Sequence, residues 1–173
     1  MKSVPVKIAV LMGSDSDLPV MGEVAAVFEE FSVSYEMKVL SAHRSPELVR
    51  EFVLNAPREG FKVIIAGAGG AAHLAGAVAA HSILPVIGVP IDSTALQGFD
   101  ALLATVQMPA GIPVATVAIG KAGARNAALL AVQILALSDP DLSGKLLKYK
   151  QKLIDGVAEK NKQLQQKLQN PKS

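Results

Sequence analysis

The sequence predicts an α/β three-layer sandwich: a five-stranded parallel sheet between two helical layers, followed by a C-terminal helical extension. Three observations predict it. Apolar β-type runs and helix-patterned stretches alternate five times, the signature of a parallel sheet covered on both faces. The stretch from Val63 to Ile91 contains no Asp, Glu, Lys or Arg, as expected of a βαβ unit buried on both faces. Polar or glycine-rich segments follow each of the first three strands, so one end of the sheet collects them.

Val6–Met12 reads as the first strand and Gly13–Asp17 as the loop after it. The first helix then runs to about Phe31, with Met21, Val24, Ala25, Phe28 and Phe31 on one face. Tyr35–Leu40 is the second strand. Ser45 suits an N-cap, Pro46 the first helical position, and Glu47 complements the dipole of the second helix. Gly60 turns the chain into the central strand, Lys62–Ala66, which then breaks into Gly67, Gly69 and Gly70. A third helix covers about Ala71–Ala80, with His73 at its opening, and Leu84–Pro90 is the fourth strand. Asp100–Gln107 is a short helix, Met108–Pro113 a rigid loop and Val114–Ile119 the fifth strand. Ala124–Leu137 is a helix apolar nearly all round, which demands burial on most sides. Asp139-Pro140 starts the last helix, where Leu142, Leu146, Leu153, Ile154, Val157, Leu164 and Leu168 lie among many Lys and Gln. Asn170–Ser173 should fray. The expected division is residues 1–138 as a catalytic domain and 139–173 as a helix packing on a neighbouring subunit.

The favoured strand order is flavodoxin-like, 2-1-3-4-5. Ligands of such sheets bind outside the carboxyl ends of the strands, near the switch point between strands one and three. The three motif loops converge there.

Composition narrows the partners. Half of the residues are apolar but only 4% are aromatic, so the core is built of Ala, Val, Ile and Leu. The net charge of +2 implies no polyanion, hence no nucleic-acid partner. The charge-free stretch is interrupted by glycines, Pro85, Pro90, His73 and His81, which argues against a membrane span. There is no cysteine, so no disulfide framework, thiolate metal site or thiol nucleophile. The apolar run Val6–Met12 lacks a signal-peptide pattern, and the cytoplasm is the expected location.

Each motif carries two readings. Ser14 and Ser16 with the following helix N-terminus can hold a phosphate, and Asp17 can accept from ribose hydroxyls; alternatively, the group is a capping cluster. In Ser41-Ala42-His43-Arg44-Ser45-Pro46, Arg44 is a fork-shaped phosphate donor. His43 is a proton-transfer candidate, since an unperturbed imidazole titrates near pH 6.5; the pair can equally be solvated surface. Gly67, Gly69 and Ala72 formally fit the dinucleotide pattern G-x-G-x-x-A, with Asp92 after the next strand; close packing explains them as well. His73 can bond a substrate carboxylate or be a satisfied core group, and His81 reads as helix surface. The three histidines do not share ligand spacing with carboxylates, so no metal site is expected. No P-loop pattern is present.

At these residues the sequence resembles the N5-carboxyaminoimidazole ribonucleotide mutases, often called the catalytic subunit of phosphoribosylaminoimidazole carboxylase, of bacterial purine synthesis. Met12–Asp17 is similar to the family's phosphoribosyl loop, Ser41–Pro46 to its catalytic segment and Ala66–Leu74 to its glycine segment. Leu84–Pro90, Val106–Pro109 and Ala118–Ala127 extend the match. The family usually has Pro and Met where Ala75 and Ala77 stand, and Thr at Ser45, departures that bear on local helix entry. The resemblance implies transfer of a carboxylate from the exocyclic nitrogen to carbon 4 of an aminoimidazole ribonucleotide, without ATP, metal or organic cofactor. His43 would be the general acid and then base. Arg44 and Ser14 would hold the phosphate, Asp17 the ribose, with Ser16 and Ser41 assisting. Gly69, Gly70 and Ala71 would wall the pocket, and His73 would lie by the base. A second class of the family carboxylates aminoimidazole ribonucleotide directly with carbon dioxide, but Ala71–Leu74 resembles the mutase class. A Rossmann-like or flavodoxin-like nucleotide-binding module is the competing reading from a different class. The resemblance also implies a symmetric homo-octamer, with Met108–Pro113 the candidate loop shared between subunits.

Overall fold

The computed structural model describes residues Lys7–Gln169. Val6, placed above in the first strand, and Asn170–Ser173, expected to fray, lie outside the described residues. Five strands, β1 (Lys7–Met12), β2 (Ser34–Val39), β3 (Phe61–Gly69), β4 (Val86–Ile91) and β5 (Ala115–Thr116), form one parallel sheet in the order β2-β1-β3-β4-β5. Helices α1 (Leu18–Phe31), α2 (Pro46–Asn55), α3 (Leu74–His81), α4 (Phe99–Val106) and α5 (Gly120–Ala136) connect or follow the strands. α6 (Pro140–Gln169) completes the chain, which divides between Ile134 and Leu135 into two compact units.

β1 lies between β2 and β3, and Ile8, Ala9, Val10 and Leu11 are fully buried on both faces. Val63, Ile64 and Ile65 of β3 and Ile87 and Val89 of β4 continue that core. The charge-free stretch is therefore the interior βαβ unit β3–α3–β4. Among the described residues no helix is long and apolar enough to cross a membrane. α1 packs Met21, Val24, Val27, Phe28 and Phe31 inward; Val27, not Ala25, completes its buried face. It ends where Ser32 turns left-handed, so that Ser32 N–H donates to Glu29 O and Val33 N–H to Phe28 O, the paired bonds that close a helix C-terminus.

Several expected boundaries move. β3 does not break at Ala66. Its ladder runs on through Gly67↔Val89 and Gly69↔Ile91, because glycine pairs like any residue and the missing side chains leave room. At Gly67 a Cβ would overlap the Met21 side chain lying across the sheet. α3 starts at Leu74 rather than Ala71, because Ala72 N–H donates to Gly70 O and His73 N–H to Ala71 O, tight turns that are not helical. β5 shrinks to Ala115–Thr116, with Val117 N–H donating to Gly88 O beyond it. α5 begins earlier than expected, at Gly120. Its buried face is Gly123, Ala124, Ala127, Ala128, Ala131 and Val132, while Leu129, Leu130 and Ile134 are half-buried.

Candidate active site

At the carboxyl ends of β1–β4 lies a cavity of about 300 Å³. The loop after β1 contributes Gly13, Ser14, Ser16 and Asp17, and the loop after β2 contributes Ser41, Ala42, His43 and Arg44. Ala68 and Gly69 at the end of β3, then Ala71 and Leu74, form the opposite wall, and Ser93 after β4 closes it. The chain runs from β1 to β2 on one side and then from β2 across to β3 on the other side of β1, so the cavity sits at the switch point of the sheet.

Both polar loops are tied to the sheet. Gly13 N–H donates to Gly67 O, and Leu40 N–H to Met12 O. In the first loop the Ser14 hydroxyl accepts from Ser16 N–H (3.3 Å) and from the Ser16 hydroxyl (2.9 Å). The Asp17 carboxylate accepts from Ser14 N–H at 3.1 Å. These bonds form a capping box over a single 3₁₀ turn, Asp15–Asp17. The capping reading of this segment is thus realised, and the same residues line the cavity.

Asp17 is buried, 5% exposed. Burial raises its carboxyl above the usual 3.8, against the lowering effects of the Ser14 and Gly13 amides and the Arg44 charge. The folded state therefore holds this proton more tightly than the unfolded chain does. The stability it contributes is greatest below pH 3.8 and is lost as pH rises through the folded value. Asp17→Asn keeps an oxygen to accept from Ser14 N–H. Thermal unfolding from acid to neutral pH should show equal or higher stability of this variant at neutrality and a flatter acid limb; a neutral-pH loss would contradict this account.

In the second loop Ser45 stands at the N-cap of α2 as expected, but its hydroxyl does not cap the helix. It donates to Ser41 O and accepts from Ser41 N–H, each at 3.1 Å, closing the loop on itself. The Ser41 hydroxyl accepts from Arg44 N–H (3.1 Å) and from Arg44 Nε (3.4 Å). Arg44 Nη2 donates to Gly13 O at 2.6 Å. The guanidinium thus bridges both loops, with its charge over the Ser14 side of the cavity.

His43 Nε2 lies 2.8 Å from His73 Nδ1, with the rings edge-to-face at 87°. One nitrogen must donate and the other accept, so the bonded pair carries at most one positive charge. His73 is the residue before α3 and makes this bond from outside the cavity lining. Gly70 also stays outside the lining, as the left-handed turn after β3. Gly69 and Ala71 do line it. A Cβ at Gly69 would overlap the Ser93 hydroxyl, so glycine is required for that wall to close. His81 is exposed at the end of α3.

Ser93 is the lining residue that motif reading missed. Its one sequence signal is position, two residues past a strand that ends beside β3. The dinucleotide elements do not converge: Gly67 faces Met21, and the Asp92 carboxylate lies beside Gly120 at the start of α5.

The profile described as AIR carboxylase matches residues 7–155. The chain belongs to the AIR carboxylase family. It is 60% identical to the N5-carboxyaminoimidazole ribonucleotide mutase of Pyrococcus abyssi over 84% of this chain and 82% of that protein. It is 52% identical to the mutase of the same name from Bacillus subtilis, over 91% and 97%. The crystal structure of Treponema denticola PurE superposes with a TM-score of 0.83 at 28% identity, covering 91% of this chain and 98% of that one. The AIR carboxylase match spans every cavity-lining residue.

Proposed function

We propose that this AIR carboxylase family member is an N5-carboxyaminoimidazole ribonucleotide mutase, converting that carbamate to 4-carboxy-5-aminoimidazole ribonucleotide. The observation that carries the reading is one cavity holding Arg44 beside a hydroxyl-bearing helix-entry loop and, from the neighbouring loop, His43 paired with His73. Arg44, Ser14 and the following backbone N–H groups take the phosphate, with Ser16 and Ser41 setting the loops that present them. Asp17 accepts from the ribose hydroxyls, and His73 acts from outside the lining through its bond to His43.

The chemistry requires one group to act in both directions. His43 protonates the carbamate nitrogen, the nitrogen–carbon bond breaks, and carbon dioxide is released beside a nucleophilic imidazole ring. Carbon 4 attacks that carbon dioxide, forming the carbon–carbon bond, and His43 then removes the carbon-4 proton. Imidazole suits both steps at neutral pH. The small residues Gly69 and Ala71, with Gly70 shaping the turn, leave a narrow wall against escape of carbon dioxide. His73, bonded to His43, sets which imidazole nitrogen carries the proton. No cofactor enters this sequence of steps.

Purified protein given N5-carboxyaminoimidazole ribonucleotide, without ATP or added metal, should form the product; rapid conversion only from aminoimidazole ribonucleotide and bicarbonate would assign the other class. The identity to named mutases supports the mutase class.

The reading extends to a cytoplasmic homo-oligomer, an octamer as the family resemblance implies. The absence of cysteine suits a reducing compartment. Apolar residues of α4 remain exposed at helical spacing, Phe99 at 59%, Leu103 at 43% and Val106 at 50%, a face that asks for a partner. α6 docks on a neighbouring subunit, and Met108–Pro113 is the loop offered to a neighbour's site. Light scattering of the full chain should give an oligomeric mass, and truncation after Ser138 should lower that mass or the thermal stability. A monomer at micromolar concentration would overturn the assembly.

A further inference from the structure

All residues of α6 from Lys150 to Gln169 are exposed. Within them Leu153 (49%), Ile154 (61%), Val157 (69%), Leu164 (52%) and Leu168 (64%) present apolar side chains to solvent. In proteins most of a helix's stability comes from packing its amphipathic face rather than from propensity. The spacing Ile154, Val157, Asn161, Leu164, Leu168 alternates three and four residues. That is the a/d pattern of a coiled-coil seam. Lys150 holds the preceding d position and marks where the continuous seam begins. The family match ends at residue 155, so nearly the whole seam lies past it.

We propose that Ile154–Leu168 of α6 pairs with the same segment of a second copy of this chain as a parallel, in-register, two-stranded coiled coil. The proposal rests on the assembly reading above and names the surface that α6 meets; it is independent of the catalytic reading. The apolar a and d positions are mixed, Ile154 and Leu168 at a with Val157 and Leu164 at d, so a single Asn at an a position, which specifies register and oligomer state, carries the two-stranded reading. Asn161 sets the direction. Parallel pairing places a opposite a, so two Asn161 amides meet and hydrogen-bond. Antiparallel pairing places a opposite d, leaving the amide against Val157 or Leu164 without a polar partner. Charge agrees: parallel pairing brings Lys160 at g beside Gln165 at e of the other helix, whereas antiparallel pairing sets g beside g and faces lysines with lysines.

The chain contains no cysteine, so a single introduced thiol reports on the seam in the full-length protein. Parallel in-register pairing brings the two Cα atoms at position 164 into disulfide range, about 4.4–6.8 Å. Under mild oxidation, Leu164→Cys and Ile154→Cys should each give covalent dimer at least about tenfold faster than Gln166→Cys, which lies on the outer face of the helix. Equal rates in all three, or dimer from only one seam position, overturns the proposal. Light scattering of the reduced variants separates the failures. Oligomeric mass without cross-linking removes the coiled coil and leaves the assembly standing, and monomeric mass removes both.

Discussion

His43→Asn should lower turnover by about 10²–10⁴-fold, the usual loss when a general acid–base group is removed, while leaving the protein folded. The side chain is exposed and bonds to His73. The loop that carries it is closed by Ser41 and Ser45, which the substitution does not touch. Asparagine keeps a polar side chain of similar reach but cannot shuttle a proton. Substrate binding should change little, because phosphate and ribose are held by other residues. Initial rates with N5-carboxyaminoimidazole ribonucleotide, beside a thermal unfolding curve, decide the matter. A folded variant with near-normal turnover would remove His43 from the acid–base role.

Arg44→Ala should instead act on binding. A charge-assisted pair with phosphate is worth about 1.5–3 kcal/mol, so the substrate Kd should rise by about 10–100-fold. The guanidinium is fixed between Gly13 O and the Ser41 hydroxyl, so its charge is already positioned before substrate arrives. The same bonds explain why lysine is a poor replacement: separate guanidinium nitrogens, Nε and Nη2, reach Ser41 Oγ and Gly13 O, and a single ammonium nitrogen lacks that planar fork. Titration calorimetry with aminoimidazole ribonucleotide measures the shift without turnover. Unchanged affinity would place the phosphate elsewhere in the cavity.

The sheet order was legible because β1, β3 and β4 are runs with little polar interruption, separated by helix-patterned stretches. Polar loops following the first three strands then located the cavity. Boundaries moved where glycine carries opposite meanings. Gly67 and Gly69 look like a loop in sequence but remain in β3, paired with Val89 and Ile91. After the left-handed Gly70, two successive tight turns, Ala72 N–H to Gly70 O and His73 N–H to Ala71 O, delay the start of α3 to Leu74. Ser45 has an N-cap residue's identity and position, yet its hydroxyl turns back to Ser41.

Tertiary contacts were not legible. The His43–His73 bond joins residues thirty positions apart, and neither side chain's direction follows from local pattern. Ser93 enters the cavity only because β4 lies beside β3 and Gly69 has no Cβ. The exposed stripe of α6 was partly legible as spacing, since helical periodicity names a face whether or not one chain covers it; that of α4, Phe99, Leu103 and Val106, was not read from the sequence.

The central claim is that the carboxylate travels from nitrogen to carbon within one closed site. Substrate labelled with ¹³C in its carbamate carboxylate, incubated with the enzyme in excess unlabelled bicarbonate, tests it directly by NMR. The account predicts 4-carboxy-5-aminoimidazole ribonucleotide with most of the label retained. Product whose carboxylate has lost the label to carbon from the unlabelled bicarbonate, or no product at all, would contradict it.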